Sequence, residues 1–178
     1  VAEQWMHLGM PEAALIELGP GRGTLMNDML RATSRVAGFH ANITVHMVET
    51  SPALKHKQWN ALAGKHPHIE WHENLDDLPD IPWLVVANEF FDALPIRQFV
   101  RDKNGWQERM VTQKDGALQF TAAATRADIP ATDTDFYERS EAAETMAGII
   151  AAHIARHGGA ALIADYGYTH GYADTLQA

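Results

Sequence analysis

Short apolar runs alternate with amphipathic segments along most of the chain. The first run, residues 13–18, is followed at once by glycines, as is typical of a parallel strand that is covered on both faces. Beyond the glycines, apolar residues recur at the spacing of one helix face: Leu25, Met26, Met29 and Leu30. Thr24 stands where its hydroxyl can accept hydrogen bonds from free amides at the helix start. The pattern therefore predicts a strand, a glycine loop and a helix in succession.

Four further runs predict strands that connect in the same way: residues 43–49, 68–72, 83–87 and 160–165. Ser51 and Pro52 offer an N-cap and a proline at the first position of a helix, and Ser140 caps a helix that runs to about His157. Residues 1–9 are typical of a helix tail that closes at a glycine. Strands that alternate with helices predict right-handed crossovers, and hence a parallel sheet with helices on both faces.

The pattern changes in the middle of the chain. Asn104-Gly105 and Asp115-Gly116 are strong hairpin turns, and the segments that flank them resemble antiparallel strands. We expect an antiparallel β-meander at about 97–122, inserted into a single α/β domain that covers residues 1–178. Residues 127–137, with a proline and alternating Thr and Asp, predict a surface loop.

Composition narrows the class of protein. The 178 residues carry a net charge of -9 and scattered basic side chains, which opposes attraction to a phosphate backbone, so we expect no nucleic-acid partner. No apolar run approaches the roughly 20 residues of a membrane span, so we expect a soluble protein, cytoplasmic by default. The absence of cysteine excludes a disulfide framework and a thiolate metal site.

Three alternate glycines, Gly19, Gly21 and Gly23, stand between the first strand and its helix. They let the backbone approach a ligand closely and aim free amides at it, which favours a nucleotide-type ligand over a bare tight turn. Their spacing differs by one residue from the dinucleotide fingerprint, and no Gly-Lys-Ser or Gly-Lys-Thr follows, which excludes a P-loop. Glu17 beside the loop would repel pyrophosphate but attract an ammonium or a sulfonium, and S-adenosylmethionine carries both.

Acidic residues also stand at the ends of the second and fifth strands, at the edge where open α/β sheets place their ligands. Glu49 ends the second strand, where it can accept hydrogen bonds from ribose hydroxyls; the alternative is a solvated strand-end acid. Asp165 ends the fifth strand and either faces the cleft or caps the turn at Gly167, before Tyr168 and a polar tail finish the chain.

Polar residues follow the fourth strand at the same edge. Asn88, Glu89 and Asp92 could form a polar pocket for a cationic or amide acceptor, because polar groups that leave a buried strand are costly unless they are used. The alternative for Asp92 is the capping of a helix. The apolar residues between and after them are expected to pack: Phe90, Phe91 and Leu94.

The ten histidines raise the question of a metal site. His68 and His72 would share one strand face with Glu70 between them. The histidines are otherwise scattered, without a dense carboxylate cluster, which is more typical of surface residues. We therefore expect no metal.

Several of these segments together resemble the MidA-like methyltransferase family: residues 17–25, residues 49–54 with Gln58, residues 88–95 and residues 165–167. This family includes the mitochondrial arginine methyltransferase that assists assembly of respiratory complex I. The resemblance implies a class I S-adenosylmethionine-dependent methyltransferase fold, in which two more strands normally follow the fifth. Because the chain starts at Val1 and stops at Ala178, we expect it to be incomplete at both ends.

The resemblance also implies roles for particular residues. S-adenosyl-L-methionine is the expected cofactor, and the residues expected to bind it are Glu17, Gly19, Gly21, Gly23, Thr24, Glu49, Thr50 and Ser51. The residues expected to act in catalysis are Glu89, Asp92 and Asn88. The acceptor would be an arginine of a protein substrate. A homodimer is compatible with the sequence, and the protein would act in the cytoplasm of a bacterium or the mitochondrial matrix of a eukaryote.

Two other functions stay open on the sequence. The glycine loop would also suit a nicotinamide-dependent oxidoreductase, although its spacing and Glu17 disfavour that class. A non-catalytic assembly factor could keep the cofactor fold and bind a partner through the meander at 97–121.

Overall fold

The computed structural model describes residues 1–167 and 174–176; Tyr168 and most of the polar tail lie outside the described residues. The helices are α1 (Ala2–His7), α2 (Thr24–Thr33), α3 (Phe39–Asn42), α4 (Pro52–Leu62) and α5 (Glu141–His157). The strands are β1 (Ala13–Leu18), β2 (Ile43–Val48), β3 (Ile69–His72), β4 (Trp83–Asn88), β5 (Arg97–Asp102), β6 (Gly105–Lys114), β7 (Ala117–Ala124), β8 (Phe136–Arg139) and β9 (Gly159–Ala164). The five predicted parallel strands are therefore confirmed, with their ends shifted by at most one residue.

The chain divides into two compact units, and the first comprises Val1–Ala93 and Met146–Tyr166. Its sheet has the strand order β3-β2-β1-β4-β9, and all neighbouring strands are parallel. Leu18 at the end of β1 lies opposite Val48 of β2 and Ala87 of β4. Because the strands run in the same direction, the segments that follow β1, β2, β4 and β9 leave the sheet at one edge.

Helices lie on both faces of this sheet, as the sequence predicts, but the fifth strand is not buried as expected: β9 lies at the edge of the sheet and most of its residues are exposed. On one face, side chains from the first four helices pack with β1 and β2 in a cluster that includes Trp5, Met26, Phe39 and Leu62. On the other face, Ile150 of α5 packs against β1, β4 and the segment after β3. One residue of the predicted apolar face of α2 is not buried. Leu25 is exposed, because the buried face of that helix is centred on Met26 and Leu30.

The second unit comprises Leu94–Thr145 with Gly167 and residues 174–176. It is an antiparallel sheet of strand order β7-β6-β5-β8, which confirms the meander. The predicted loop at 127–137 is wrong at its end, where Phe136 and Tyr137 already belong to β8. Tyr137 pairs with Phe99 of β5 and their rings stack at 6.2 Å, a long-range pairing that local composition does not show.

The predicted helix starts agree with the structure at two serines. The Oγ atom of Ser51 accepts a hydrogen bond from the backbone N–H of Leu54, and Pro52 is the first residue of α4. Ser140 accepts one from the backbone N–H of Ala143 at the start of α5.

No helix within the described part of the chain is long and apolar enough to cross a membrane. The single domain over residues 1–178 stays a prediction.

Candidate functional site

The loop between β1 and α2 holds its three glycines in the left-handed region. The φ angles are 59° at Gly19, 55° at Gly21 and 78° at Gly23. The N–H of Gly19 donates to Val48 O at 3.1 Å, and the N–H of Gly23 donates to Pro20 O at 2.8 Å. Residues with a Cβ rarely adopt this backbone conformation, so the path of the loop depends on glycine at each position.

Each glycine faces a different environment. A Cβ on Gly19 would lie 2.7 Å from Cδ2 of Phe90, and one on Gly23 would lie 3.4 Å from the Cα of Gln58. A Cβ on Gly21 would have none of the described residues within 4 Å. Gly19 and Gly23 therefore allow close packing, and Gly21 borders open space. Within residues 1–167 and 174–176, the N–H of Gly21 and that of Arg22 donate no hydrogen bond. Free amides next to open space at a helix start are suited to an anionic ligand group such as a carboxylate.

Thr24 does not cap α2, so that part of the prediction is wrong. The N-cap is Gly23 in the left-handed conformation, and the helix start has no side-chain hydrogen bond. Thr24 is already the first helical residue and its side chain is exposed. A role for Thr24 in binding the cofactor stays a prediction.

Glu17 lies within β1 and is only 3% exposed. Burial raises the pKa of its carboxyl to about 7, although a hydrogen bond with the backbone of Met26 acts in the opposite direction. Its Oε2 atom has no hydrogen-bond partner among the described residues. A buried carboxylate oxygen without a partner is costly, and a cationic ligand group beside it would remove that cost.

Glu49 follows β2 and is held at both carboxylate oxygens. Oε1 accepts the backbone N–H of Ser51 at 2.8 Å, and Oε2 accepts Nε2 of Gln58 at 3.1 Å. Because an ionised carboxylate has about four acceptor positions, the group can still accept two ribose hydroxyls in this orientation. Ser51 therefore has a visible structural role, whereas Thr50 is exposed; binding of the cofactor by either residue stays a prediction.

Gln58 belongs to the segments that carry the family resemblance, but the sequence did not predict a role for it in this site. It is fully buried in α4, and its Nε2 atom donates to Gly21 O at 2.9 Å as well as to Glu49. Its Oε1 atom accepts Nε1 of Trp71 from β3 at 2.9 Å. Gln58 therefore joins the glycine loop, Glu49 and the edge strand. A signal was present, because an amide four residues before the buried Leu62 lies on the inward face of a helix.

Acidic residues meet at the ends of β4 and β9. Glu89, Asp92 and Asp165 each place a carboxylate oxygen within 4.8 Å of the others. The Oδ2 atom of Asp165 accepts the backbone N–H of Asp92 at 3.0 Å, and its Oδ1 atom accepts that of Tyr166 at 2.9 Å. The capping alternative for Asp92 is wrong, because the residue lies in a turn that leads to β5 rather than to a helix.

Glu89 has an unusual backbone and a perturbed carboxyl. Its φ angle is 52°, which is uncommon outside glycine, and its N–H donates to Ala164 O at 2.9 Å. Partial desolvation raises the pKa of Glu89, and the nearby Asp92 and Asp165 raise it further. Asn88, the third predicted catalytic residue, is exposed at the end of β4.

The acidic cluster adjoins the glycine loop through Phe90. This ring follows Glu89 in the chain, packs with Phe91 against the core and occupies the space where Gly19 has no side chain. The predicted packing of these two aromatic residues is thus confirmed. The same edge of one sheet therefore carries a loop suited to an anionic group, a buried unpartnered carboxylate, a strand-end carboxylate and an exposed acidic cluster.

The sequence matches one protein family over residues 1–178, under the description "Putative S-adenosyl-L-methionine-dependent methyltransferase". The chain belongs to this family. The predicted resemblance, fold class and cofactor are thereby confirmed. A crystal structure of a Burkholderia thailandensis protein bound to S-adenosyl-homocysteine aligns with this fold at a TM-score of 0.65 and 25% identity, over 86% of this chain and 41% of that chain.

Curated relatives are named for arginine methylation. The zebrafish (Danio rerio) "Protein arginine methyltransferase NDUFAF7, mitochondrial" is 35% identical in an alignment that covers 98% of this chain and 49% of the relative. The human (Homo sapiens) protein of that name is 32% identical in an alignment that covers 98% of this chain and 46% of the relative. The chain thus spans about half the length of these relatives.

Proposed function

We propose that the protein transfers a methyl group from S-adenosylmethionine to the side chain of an arginine in a protein substrate. The observation that carries the proposal is the acidic cluster of Glu89, Asp92 and Asp165, which adjoins the glycine loop through Phe90. Such a cluster suits a cationic acceptor next to a cofactor site.

This chain has the residues that the cofactor needs. The amides of the loop suit the carboxylate of its methionine part, Glu49 suits its ribose, and the unpartnered oxygen of Glu17 suits a positive charge. When bound, S-adenosylmethionine would supply an electrophilic methyl group on its sulfonium: as the new N–C bond to the methyl carbon forms, the S–C bond breaks and its electrons stay on sulfur. The remaining work falls to the protein: to orient the acceptor nitrogen, exclude water and take up a proton.

The acidic cluster would do that work for an arginine. A guanidinium stays protonated at neutral pH, and its planar fork pairs with carboxylates through two parallel hydrogen bonds. When the new N–C bond forms, the nitrogen must lose a proton. Glu89 is the proposed acceptor of that proton, because its raised pKa makes it a stronger base than an ordinary carboxylate.

Two further observations support a protein acceptor. The net charge of -9 disfavours a nucleic-acid substrate. The relatives from zebrafish and human are both named protein arginine methyltransferases. Their names also support action in the mitochondrion if the protein is eukaryotic, and we propose the cytoplasm if it is bacterial. A homodimer remains a prediction that light scattering on the purified protein tests.

The decisive experiment is methyl transfer by the full-length protein with radiolabelled S-adenosylmethionine in a cell lysate, followed by identification of the labelled protein and residue. Label on arginine is expected. Glu89→Gln should slow the reaction roughly a hundredfold while S-adenosylhomocysteine still raises the melting temperature. Glu3→Gln removes an exposed carboxyl on α1 and should change neither quantity.

Other outcomes separate the rival functions. Stabilisation by S-adenosylhomocysteine without any methyl transfer would favour an assembly factor that binds the cofactor. Stabilisation by NAD instead would favour an oxidoreductase. Label on another kind of residue, or an unchanged rate in Glu89→Gln, would overturn the role of the acidic cluster.

A further inference from the structure

Two histidines and a glutamate meet at the outer edge of the parallel sheet, away from the acidic cluster. His46 is on β2, and Glu70 and His72 are on β3. In the register of the two parallel strands, His46 lies opposite Glu70 and Val48 lies opposite His72. The three side chains therefore project from one face of the sheet. The pattern along the chain suggested His68 and His72 as partners on one strand face. The structure instead brings His72 together with His46, which comes from the neighbouring strand.

We propose that His46, Glu70 and His72 bind one divalent metal ion of the zinc type, which joins the edge strand β3 to β2. Nδ1 of His46 and Nε2 of His72 are 2.9 Å apart, and Oε2 of Glu70 is 4.0 Å from the first and 3.9 Å from the second. A point equidistant from three atoms with these separations lies about 2.1 Å from each, which is the distance that zinc keeps from nitrogen and oxygen ligands.

The ring of His46 is held in place as the ring of a metal-ligating histidine usually is. Nε2 of His46 is hydrogen-bonded to Oγ1 of Thr44 at 2.8 Å, so the other ring nitrogen is directed at the cluster. Such a partner on the far side of the ring fixes the tautomer and the ring orientation of a ligand. The side chains of His46 and His72 are only 4% and 9% exposed, whereas Glu70 is 64% exposed. Glu70 can therefore close onto an ion that enters from solvent, and a water can complete its coordination.

The donor set selects the type of metal. Two imidazole nitrogens and one carboxylate oxygen suit zinc and its neighbours among the transition metals, whereas Mg²⁺ and Ca²⁺ require more oxygen ligands. Without a metal, the two rings form a direct hydrogen bond of 2.9 Å. Tetrahedral zinc would hold the two nitrogens roughly 3.3 Å apart, so the change needed on binding is small.

The position of the site indicates a structural role. The carbonyl of His72 accepts the backbone N–H of Glu49 at 2.9 Å, and Trp71 between the two ligands of β3 donates to Gln58. An ion that fixes β3 would therefore also fix Glu49 and Gln58, and Gln58 contacts the glycine loop at Gly21 O. We expect the metal to stabilise the fold and not to take part in the reaction.

A second cluster provides a matched control for adventitious binding. Asp80, His153 and His157 also bring ligand atoms within 4.8 Å of one another. There, however, Nε2 of His153 is already hydrogen-bonded to Ile81 O at 2.9 Å, and the ring is stacked on Trp83 with the centroids 3.5 Å apart. The ring of His153 therefore already makes other contacts. If an ion binds at this second cluster, His157→Gln should weaken its binding.

The test is a calorimetric titration of Zn²⁺ into the purified, chelator-treated protein, with the melting temperature as a second readout. The wild type should bind one equivalent and melt a few degrees higher, and Mg²⁺ should have no effect. Glu70→Gln and His72→Asn should each weaken Zn²⁺ binding at least roughly tenfold. His68→Gln and His157→Gln should bind Zn²⁺ as the wild type does.

Glu70→Gln is the decisive variant because the side chain is exposed and the fold does not depend on it. Its circular dichroism and its melting temperature without metal should match those of the wild type. Co²⁺ in place of Zn²⁺ should give the intense visible absorption of a four-coordinate site in the wild type and lose it in Glu70→Gln. The proposal is overturned if no Zn²⁺ binds, if Glu70→Gln binds it unchanged, or if binding disappears with His157→Gln.

Discussion

The two halves of the candidate site are built in opposite ways. The half that suits the cofactor is part of the core: Gln58 is 0%, Glu17 3% and Glu49 9% exposed. The half that suits the acceptor, with Glu89 and Asp92, is exposed to solvent and makes few contacts. Changes in the first half should therefore affect folding as well as binding, whereas changes in the second should affect function alone.

The largest expected effect is that of Gln58→Leu. It leaves Nε1 of Trp71, Gly21 O and Oε2 of Glu49 without their present partner. Each buried polar group that loses its partner costs about 1–3 kcal/mol, so we expect the free energy of unfolding to fall by about 4 kcal/mol. Urea denaturation measures it. Gln113→Leu, on the exposed face of β6, should change it by less than about 0.5 kcal/mol, and equal losses in the two variants would contradict the buried network.

Glu17→Gln should have an effect of opposite sign that depends on pH. The pKa of Glu17 is raised from 4.5 to about 7, so the folded state binds this proton more tightly than the unfolded state does. The stabilisation is complete below pH 4.5 and is lost as the pH rises to about 7. A glutamine has no ionised form, so burying it does not become more costly as the pH rises. We therefore expect Glu17→Gln to stabilise the ligand-free protein by about 3 kcal/mol at pH 8 and by almost nothing at pH 4.5.

The same substitution should weaken cofactor binding, because the carboxylate is proposed to face a positive charge. Unfolding at pH 4.5 and pH 8, with and without S-adenosylmethionine, measures both effects. Glu12→Gln removes an exposed carboxyl just before β1 and controls for the change of net charge. A gain in stability that is independent of pH, or an unchanged cofactor affinity, would mean that Glu17 is a structural residue only.

Gly19→Ala should separate steric contact from backbone strain. Gly19 and Gly64 both have positive φ angles, 59° and 70°, but only Gly19 has a neighbour where its Cβ would be, at 2.7 Å from Phe90. Strain alone should cost about 1 kcal/mol in Gly64→Ala, and strain with displacement of the ring about 2 kcal/mol in Gly19→Ala. Thermal unfolding measures the difference. Only Gly19→Ala should also weaken binding of S-adenosylhomocysteine, and equal effects in both variants would show that the contact with Phe90 is unimportant.

Much of the fold could be predicted because its information is local. The strand at Ala13–Leu18 and the helix at Pro52–Leu62 follow from apolar runs, glycines and a serine-proline start, and the structure has them at those places. The strand at Phe136–Arg139 was missed because it is stabilised by pairing with β5, which lies far away in the sequence. The composition of a short segment does not show which distant strand it pairs with.

The site shows the same limit. The positions of Glu17 and Glu49 could be predicted because each stands at the end of a strand that the apolar pattern indicates, and their binding of the cofactor stays a prediction. Gln58 could not be assigned a role, because its three partners come from three separate elements that only the fold brings together. Thr24 was expected to cap α2, but the N-cap is Gly23 in the left-handed conformation, a backbone state that the sequence permits but does not specify.

The smallest effect on stability is expected for Asp165→Asn, in the exposed half of the site. An asparagine oxygen can still accept the N–H of Asp92, and the N–H of Tyr166, which loses its acceptor, is exposed and can bond to water. The free energy of unfolding should therefore change by less than about 0.5 kcal/mol. The pKa of Glu89 should fall, because Asp165 is one of the charges that raise it. If Glu89 accepts the proton, methyl transfer rises with pH as Glu89 ionises, and the acid limb of the rate profile should shift to lower pH in the variant. Asp133→Asn, on an exposed loop, should leave the profile unchanged. An unshifted acid limb in Asp165→Asn would remove Glu89 as the base, whereas a large loss of stability would show that the two halves are not built as differently as the structure indicates.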